Sequence, residues 1–179
     1  MKYLLTLLLI STTFIACTKT EEIEIIKDND GPKFEKAITS LHPIGDSGVA
    51  GTVTFELVND GVKVTAEVTG LGNSAHGFHI HQYGDCTASD GTSAGGHFNP
   101  TDMDHSGPDA MERHMGDMGN LQGAGKNAVT TYSYVDTNIK LSKIMGRGVI
   151  IHADEDDLVS QPTGAAGARI SCGVIGVAK

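Results

Sequence analysis

Six of the eight histidines stand where their side chains could share metal ions. His79 and His81 lie two residues apart in GFHIHQYG, His97 lies in GGHFNP, His105 and His114 follow in a stretch without periodicity, and His152 opens HADEDD. Asp117 stands among them. A neutral imidazole offers a lone pair to zinc or copper, and a carboxylate adds negative charge. In a strand, residues i and i+2 project from one face, so His79 and His81 can offer two imidazoles to one ion. Taken alone, each histidine is equally well read as a solvated or hydrogen-bonded side chain. The setting shifts that balance. Asp85 to Asn120 is rich in Gly, Asp, His and Ser and buries little apolar surface, so it cannot offset its own ordering entropy, whereas a metal ion closing the loop can. Three imidazoles with a carboxylate suit tetrahedral zinc, and imidazoles alone suit copper, so the residue types divide between two ions.

The elements that must position these groups read as strands. Val53, Phe55 and Leu57 alternate with Thr52, Thr54 and Glu56, and after Asn59-Asp60-Gly61 the pattern resumes with Val62, Val64, Ala66 and Val68. Period two on both sides of an Asp-Gly predicts a β-hairpin with one buried face. Further strands are expected at Gly77 to Tyr83, Ala128 to Val135, Val149 to His152 and Arg169 to Val177, and no helix-length amphipathic run is present. The 179 residues include 23 Gly, 5 Phe, 4 Tyr and no Trp, a composition of turns and short strands rather than of a helix bundle. Lys plus Arg is 13 against 22 Asp plus Glu, and this acidic balance argues against a nucleic-acid binder, which needs a basic footprint.

Residues 1–16 carry one Lys and then an apolar stretch too short for a membrane span, the pattern of an export signal. Their end, Phe14-Ile15-Ala16-Cys17, resembles a bacterial lipobox, which implies cleavage before Cys17 and a lipid on that thiol. Residues 17–33 then read as the lipidated cysteine and a charged, solvated linker, and residues 34–179 as the domain. Removing residues 1–16 takes away Lys2 alone among the charged groups and leaves a net charge of -10. The expectation is an exported protein, lipid-anchored in the cell envelope and facing the periplasm or the surface.

The runs HGFHIHQYGDC, GTSAGGHFNP, HSGP, ERHMGDMGN, HADEDDL and GARISCGVIG, in this order across nearly all of residues 34–179, resemble the copper/zinc superoxide dismutase family. The resemblance implies an all-β fold, an eight-stranded Greek-key β-barrel of the immunoglobulin-like sandwich kind with long metal-binding loops on its outside. It implies copper held by His79, His81, His97 and His152, and zinc held by His97, His105, His114 and Asp117, with His97 shared. Asp156 matches a carboxylate linking His79 to His105, and Arg169 matches the active-site arginine; His97 and Arg169 carry the catalytic roles. Cys86 and Cys172 match the family disulfide. The reaction implied is disproportionation of superoxide to dioxygen and hydrogen peroxide, protecting the envelope. The alternative is a non-catalytic protein that buffers or delivers copper and zinc. His76 matches a structural position, and His42 matches no ligand.

Some features depart from the family or stand outside it. Between Asp157 and Arg169 the run LVSQPTGAAGA has no Lys or Glu, where eukaryotic relatives carry a longer charged segment. Lys126, Lys140, Lys143 and Arg147 are the remaining candidates for steering the anion. The setting of Cys86 resembles bacterial members and the ending GVIGVAK resembles eukaryotic-type tails. These groups dimerise through different faces, so a homodimer is one reading and the oligomeric state stays open, as does the copper donor. Met103, Met111, Met115 and Met118 read as gap-fillers, with a transient Cu(I) site as the sharper alternative.

Overall fold

The alternation around Asn59-Asp60 forms the hairpin it predicts: strand β2 (Ala50–Val58) pairs antiparallel with β3 (Gly61–Thr69), and the register closes with Val58 opposite Gly61. Val53 and Phe55 on β2, and Val62, Val64, Ala66 and Val68 on β3, point into the core. The computed structural model describes residues 34–179, so the export signal, Cys17 and the charged linker lie outside the described residues. The other strands are β1 (Lys36–Pro43), β4 (Ala75–His81), β5 (Asp117–Gln122), β6 (Thr130–Asp136), β7 (Gly148–His152), β8 (Arg169–Val174) and the two-residue β9 (Gly176–Val177). A single helical turn, α1 (Leu141–Ile144), precedes β7.

The antiparallel order is β5-β4-β7-β8-β1-β2-β3-β6. The two end strands β5 and β6 come alongside each other, which nearly closes an eight-stranded barrel. Pairings of β6 with β3, β7 with β4 and β8 with β1 skip strands in the sequence, as a Greek key requires. The expected eight strands are therefore present, and β9 adds a short ninth segment on β1. The expected last strand, Arg169 to Val177, is divided between β8 and β9, with Ile175 between them buried in the core.

The expected irregular stretch Asp85 to Asn120 is shorter than the sequence suggested. Its last residues, Asp117 to Asn120, belong to β5. Asp, Gly and Asn are poor strand formers, but pairing with β4 and burial of Met118 and Leu121 override that preference. The remaining loop is tied to the barrel at several points. Phe98 N donates to the Ile80 carbonyl at 2.8 Å, and Gly116 N donates to the Phe98 carbonyl at 2.9 Å. Cys86 and Cys172 form a disulfide, with Cα atoms 5.8 Å apart. Met115 and Met118 are core residues, whereas Met103 and Met111 are exposed. Gap-filling thus describes the buried pair, and the other two side chains face solvent.

Candidate metal centre

On β4, Phe78 and Ile80 enter the core, so the intervening His79 and His81 leave from the outer face. His152 ends β7, the strand beside β4, in the same outer set as Ile150, which pairs with His79. The loop lies over this face and covers it: His97 bridges to His81, and His79, His81, His97 and His152 are all at most 4% exposed. His79 and His97 stack at 3.9 Å between ring centres, and His81 and His152 at 5.4 Å. One nitrogen from each of these four rings falls within 4.8 Å of the others. His105, His114 and Asp117 converge on the opposite side of His97 under the same limit.

The hydrogen bonds show which nitrogens are already used. His79 Nε2 donates to Asp156 Oδ2 at 2.7 Å, His81 Nδ1 to the Gly95 carbonyl at 2.9 Å, and His152 Nδ1 to the Gly167 carbonyl at 3.1 Å. His105 Nε2 donates to the other Asp156 oxygen at 2.9 Å. What is left over points inward: His79 Nδ1, His97 Nε2 and His105 Nδ1 are buried without a partner. His81 Nε2 and His152 Nε2 lie 3.3 Å apart across the same space. Around Asp117 Oδ1 stand His97 Nδ1 at 2.8 Å, His105 Nδ1 at 3.0 Å and His114 Nδ1 at 3.2 Å. Only the first of these has hydrogen-bond geometry; the other two are close but misdirected, as lone pairs aimed at a common point would be. Buried polar atoms without partners are costly, and cations at the two foci would satisfy all of them. The donor sets, four imidazoles and three imidazoles with a carboxylate, fit copper and zinc.

Electrostatics divides the residues the same way. Burial pushes His79 down to about 3 against the opposing hydrogen bond from Asp156, and burial takes His152 down to about 4. His81 and His97 are lowered chiefly by burial as well, so these four rings are neutral donors. At His105 burial also works downward, but the nearby carboxylates of Asp117 and Asp156 outweigh it and raise the group to about 9. Asp117 and Asp156 are held below the ordinary carboxylate range: their histidine partners overcome the upward effect of burial.

The model of the family described as copper/zinc superoxide dismutase matches residues 49–175. The chain belongs to that family. A relative in Autographa californica nuclear polyhedrosis virus, which carries the provisional description of a Cu-Zn superoxide dismutase, is 42% identical over 142 residues, covering 73% of this chain and 93% of the relative. A crystal structure of the clock protein EA4 is similar at a TM-score of 0.72 and 38% identity, covering 81% of this chain and 96% of that one. As a copper/zinc superoxide dismutase, the protein uses copper and zinc and disproportionates superoxide.

In this dismutase every residue expected at the centre lies there, including the bridging Asp156 and the Cys86–Cys172 pair. Arg169 sits opposite His152 on β8, and its guanidinium donates to the Gly91 carbonyl and, at 2.6 Å, to that of Gly95. A cavity of about 280 Å³ beside it is lined by Asp90, Thr92, Gly167 and Ala168. None of the steering candidates lines it: Arg147 donates to the Gln82 carbonyl and covers the Phe98 ring, and Lys140 caps Thr137.

Sequence reasoning missed several supporting residues. Buried Arg113 makes a bidentate pair with Asp136 at 2.8 Å and also donates to the carbonyls of His114 and Asp117. Asn120 exchanges two hydrogen bonds of 2.8 Å with the Asp156 backbone. Gln161 does the same for His105, at 2.7 and 2.8 Å. These groups act on backbone atoms, and no spacing pattern in the sequence marks such a role.

Proposed function

We propose that His79, His81, His97 and His152 hold copper, that His97, His105, His114 and Asp117 hold zinc, and that His97 and Arg169 carry catalysis. The observation that carries this reading is His97: its Nδ1 faces Asp117 at 2.8 Å while its Nε2 is buried without a partner on the side of the other three rings. When bound, copper would supply the one-electron couple that dismutation needs, and zinc, which has no redox chemistry, would be held by His97, His105, His114 and Asp117 and would order the loop. His97 Nε2 takes up one of the two protons the reaction consumes and passes it to the departing peroxide. Its Nδ1 is held throughout, so the ring keeps its place while that proton comes and goes. Arg169 draws the superoxide anion and orients it, because a guanidinium stays charged at any working pH and here its fork is held by two carbonyls. The four rings are at most 4% exposed, which limits bulk water around His97.

The finer reading concerns place. An export signal in residues 1–16, a lipid on Cys17 and a charged tether to residue 33 would hold the domain at a bacterial envelope, where it removes superoxide before it reaches membrane or periplasmic targets. What supports this is the lipobox-like FIAC and the unpatterned charged run after it. Superoxide decay with protein reconstituted with both metals, beside a His79→Ala control, tests the chemistry; equal decay in the two samples overturns it. Mass spectrometry of the mature protein tests the anchor, and a free Cys17 thiol overturns the anchor while leaving the enzyme intact.

A further inference from the structure

The cavity of about 280 Å³ beside Arg169 carries a second charge, the carboxylate of Asp90, with Thr92 as the remaining polar side chain on its wall. The chain fixes that carboxylate next to the arginine. Gly91, one residue on, takes a left-handed φ of 73° and presents its carbonyl to the Arg169 guanidinium. It packs so closely there that a Cβ on it would stand 3.2 Å from Arg169 Cδ. Asp90 Oδ1 in turn accepts from Thr92 Oγ1 at 2.7 Å and from Thr92 N at 3.0 Å. These two bonds hold the carboxyl below its ordinary range, so it stays ionised at neutral pH. The opposite charges share the cavity without consuming each other. The guanidinium donates to the carbonyls of Gly91 and Gly95, and Asp90 accepts from Thr92. Arg169 has N–H groups beyond these two to offer an anion.

We propose that Asp90 is a specificity-determining residue of this anion site: it admits a small, singly charged anion to Arg169 and turns away larger, multiply charged oxyanions such as phosphate. The proposal rests on the reading of Arg169 as the group that draws superoxide. Volume does no sieving here, because about 280 Å³ is several times the ~30 Å³ share of one water molecule, and a tetrahedral oxyanion enters as freely as a diatomic one. Charge does the sieving. Asp90 and Arg169 are the charged side chains on the wall among the described residues. Coulomb energy is proportional to the charge of the guest. A carboxylate that lowers the occupancy of a monovalent anion by some factor therefore lowers that of a divalent one by about the square of it. Reach adds to this difference. A diatomic anion can lie against the guanidinium and away from Asp90, whereas the oxygens of a tetrahedral anion spread toward the carboxylate.

The test uses the full-length, metal-loaded protein at one fixed ionic strength and about pH 8, where inorganic phosphate, the probe, is mostly divalent. Asp90→Asn keeps an Oδ1 acceptor for Thr92 and loses the charge. Superoxide removal should rise about twofold, as for the loss of one exposed like charge, and the phosphate concentration for half-inhibition should fall about fourfold or more. Asp90→Glu, which keeps the charge, should hold phosphate inhibition close to wild type. A second readout is independent of turnover. Phosphate should protect Arg169 from phenylglyoxal at about fourfold lower concentration in Asp90→Asn than in wild type, followed by peptide mass spectrometry. Phosphate inhibition and protection that do not change in Asp90→Asn, a shift no larger than that of superoxide, or a Glu variant that matches Asn would each overturn the proposal. Arg169→Gln separates the two levels. If it leaves superoxide removal and phosphate inhibition unchanged, the role of Arg169 itself falls; if it weakens both while Asp90→Asn changes neither, the role of Asp90 alone falls.

Discussion

Asp156 is the residue on which the two foci meet, because one carboxylate orients His79 through Oδ2 and His105 through Oδ1. An amide in its place keeps one acceptor and turns an N–H₂ toward a ring N–H. Asp156→Asn should leave the barrel folded and weaken metal retention about 10- to 100-fold, as measured by competition with chelators. His105 makes a separate prediction for the metal-free protein. Its folded value, about 9, lies above the ordinary 6.5, so the stability it contributes is complete below about 6.5 and is lost as pH rises through about 9. Asp117 and Asp156 are depressed, so their contribution is present above the ordinary 3.8 and is lost as pH falls below it. His79, His81, His97 and His152 are lowered, so each costs stability as pH falls below 6.5. Thermal unfolding of the metal-free chain should therefore show greatest stability near pH 6.5, falling on both sides, and a melting temperature still rising toward pH 9 would count against this assignment. At this scale the ligands were legible from residue type and spacing. Asp156 was legible only through the family resemblance, since by itself it is one more acid in Asp154-Glu155-Asp156-Asp157.

The outer face of β4 carries the rings, but the element that places the zinc-side residues is the join between the loop and β5. Arg113 makes that join, fastening the carbonyls of His114 and Asp117 to Asp136 at the end of β6. Asp136 in turn accepts from Tyr134 Oη and from the backbone of Asn138 and Ile139, so the carboxylate is fully engaged. Arg113→Met would strip the only cation paired, among the described residues, with a carboxylate that is 2% exposed. It should cost about 3–5 kcal/mol in denaturant unfolding, with zinc lost ahead of copper on titration with chelator. The hairpin β2–β3 could be read directly because alternation there reports a single buried face. β5 could not, because Asp117, Gly119 and Asn120 are chosen for the site and the strand is imposed by its neighbour. On β4 the alternation is also masked, since the loop buries the histidine face as completely as the core buries the other.

Across the whole molecule, the acidic excess and the local charge at the centre pull a superoxide anion in opposite directions. Under the proposed reading, Arg169 and bound metal ions would make the approach positive although Asp90 lines the same cavity, while the net charge is -9 on the full sequence. Raising ionic strength from about 0.01 to about 0.15 M should lower the rate of superoxide removal if the local field dominates, and Arg169→Gln should flatten or reverse that dependence. Rapid-mixing measurements at several salt concentrations decide it; a wild-type rate that climbs with salt would mean that the overall charge governs approach. The fold class was legible at this scale from glycine content and short alternating runs, and the near closure of β5 against β6 was not, because it rests on no local signal. One oxygen gives the assembly a further property. The Gly95 carbonyl accepts both His81 Nδ1–H and the Arg169 guanidinium. Seating an anion on the arginine and seating an ion on the imidazole are then two ligations sharing a hinge, and reciprocity requires each to change the affinity of the other by the same factor. An inert anion at Arg169 would change the affinity for copper by the factor with which copper changes that of the anion.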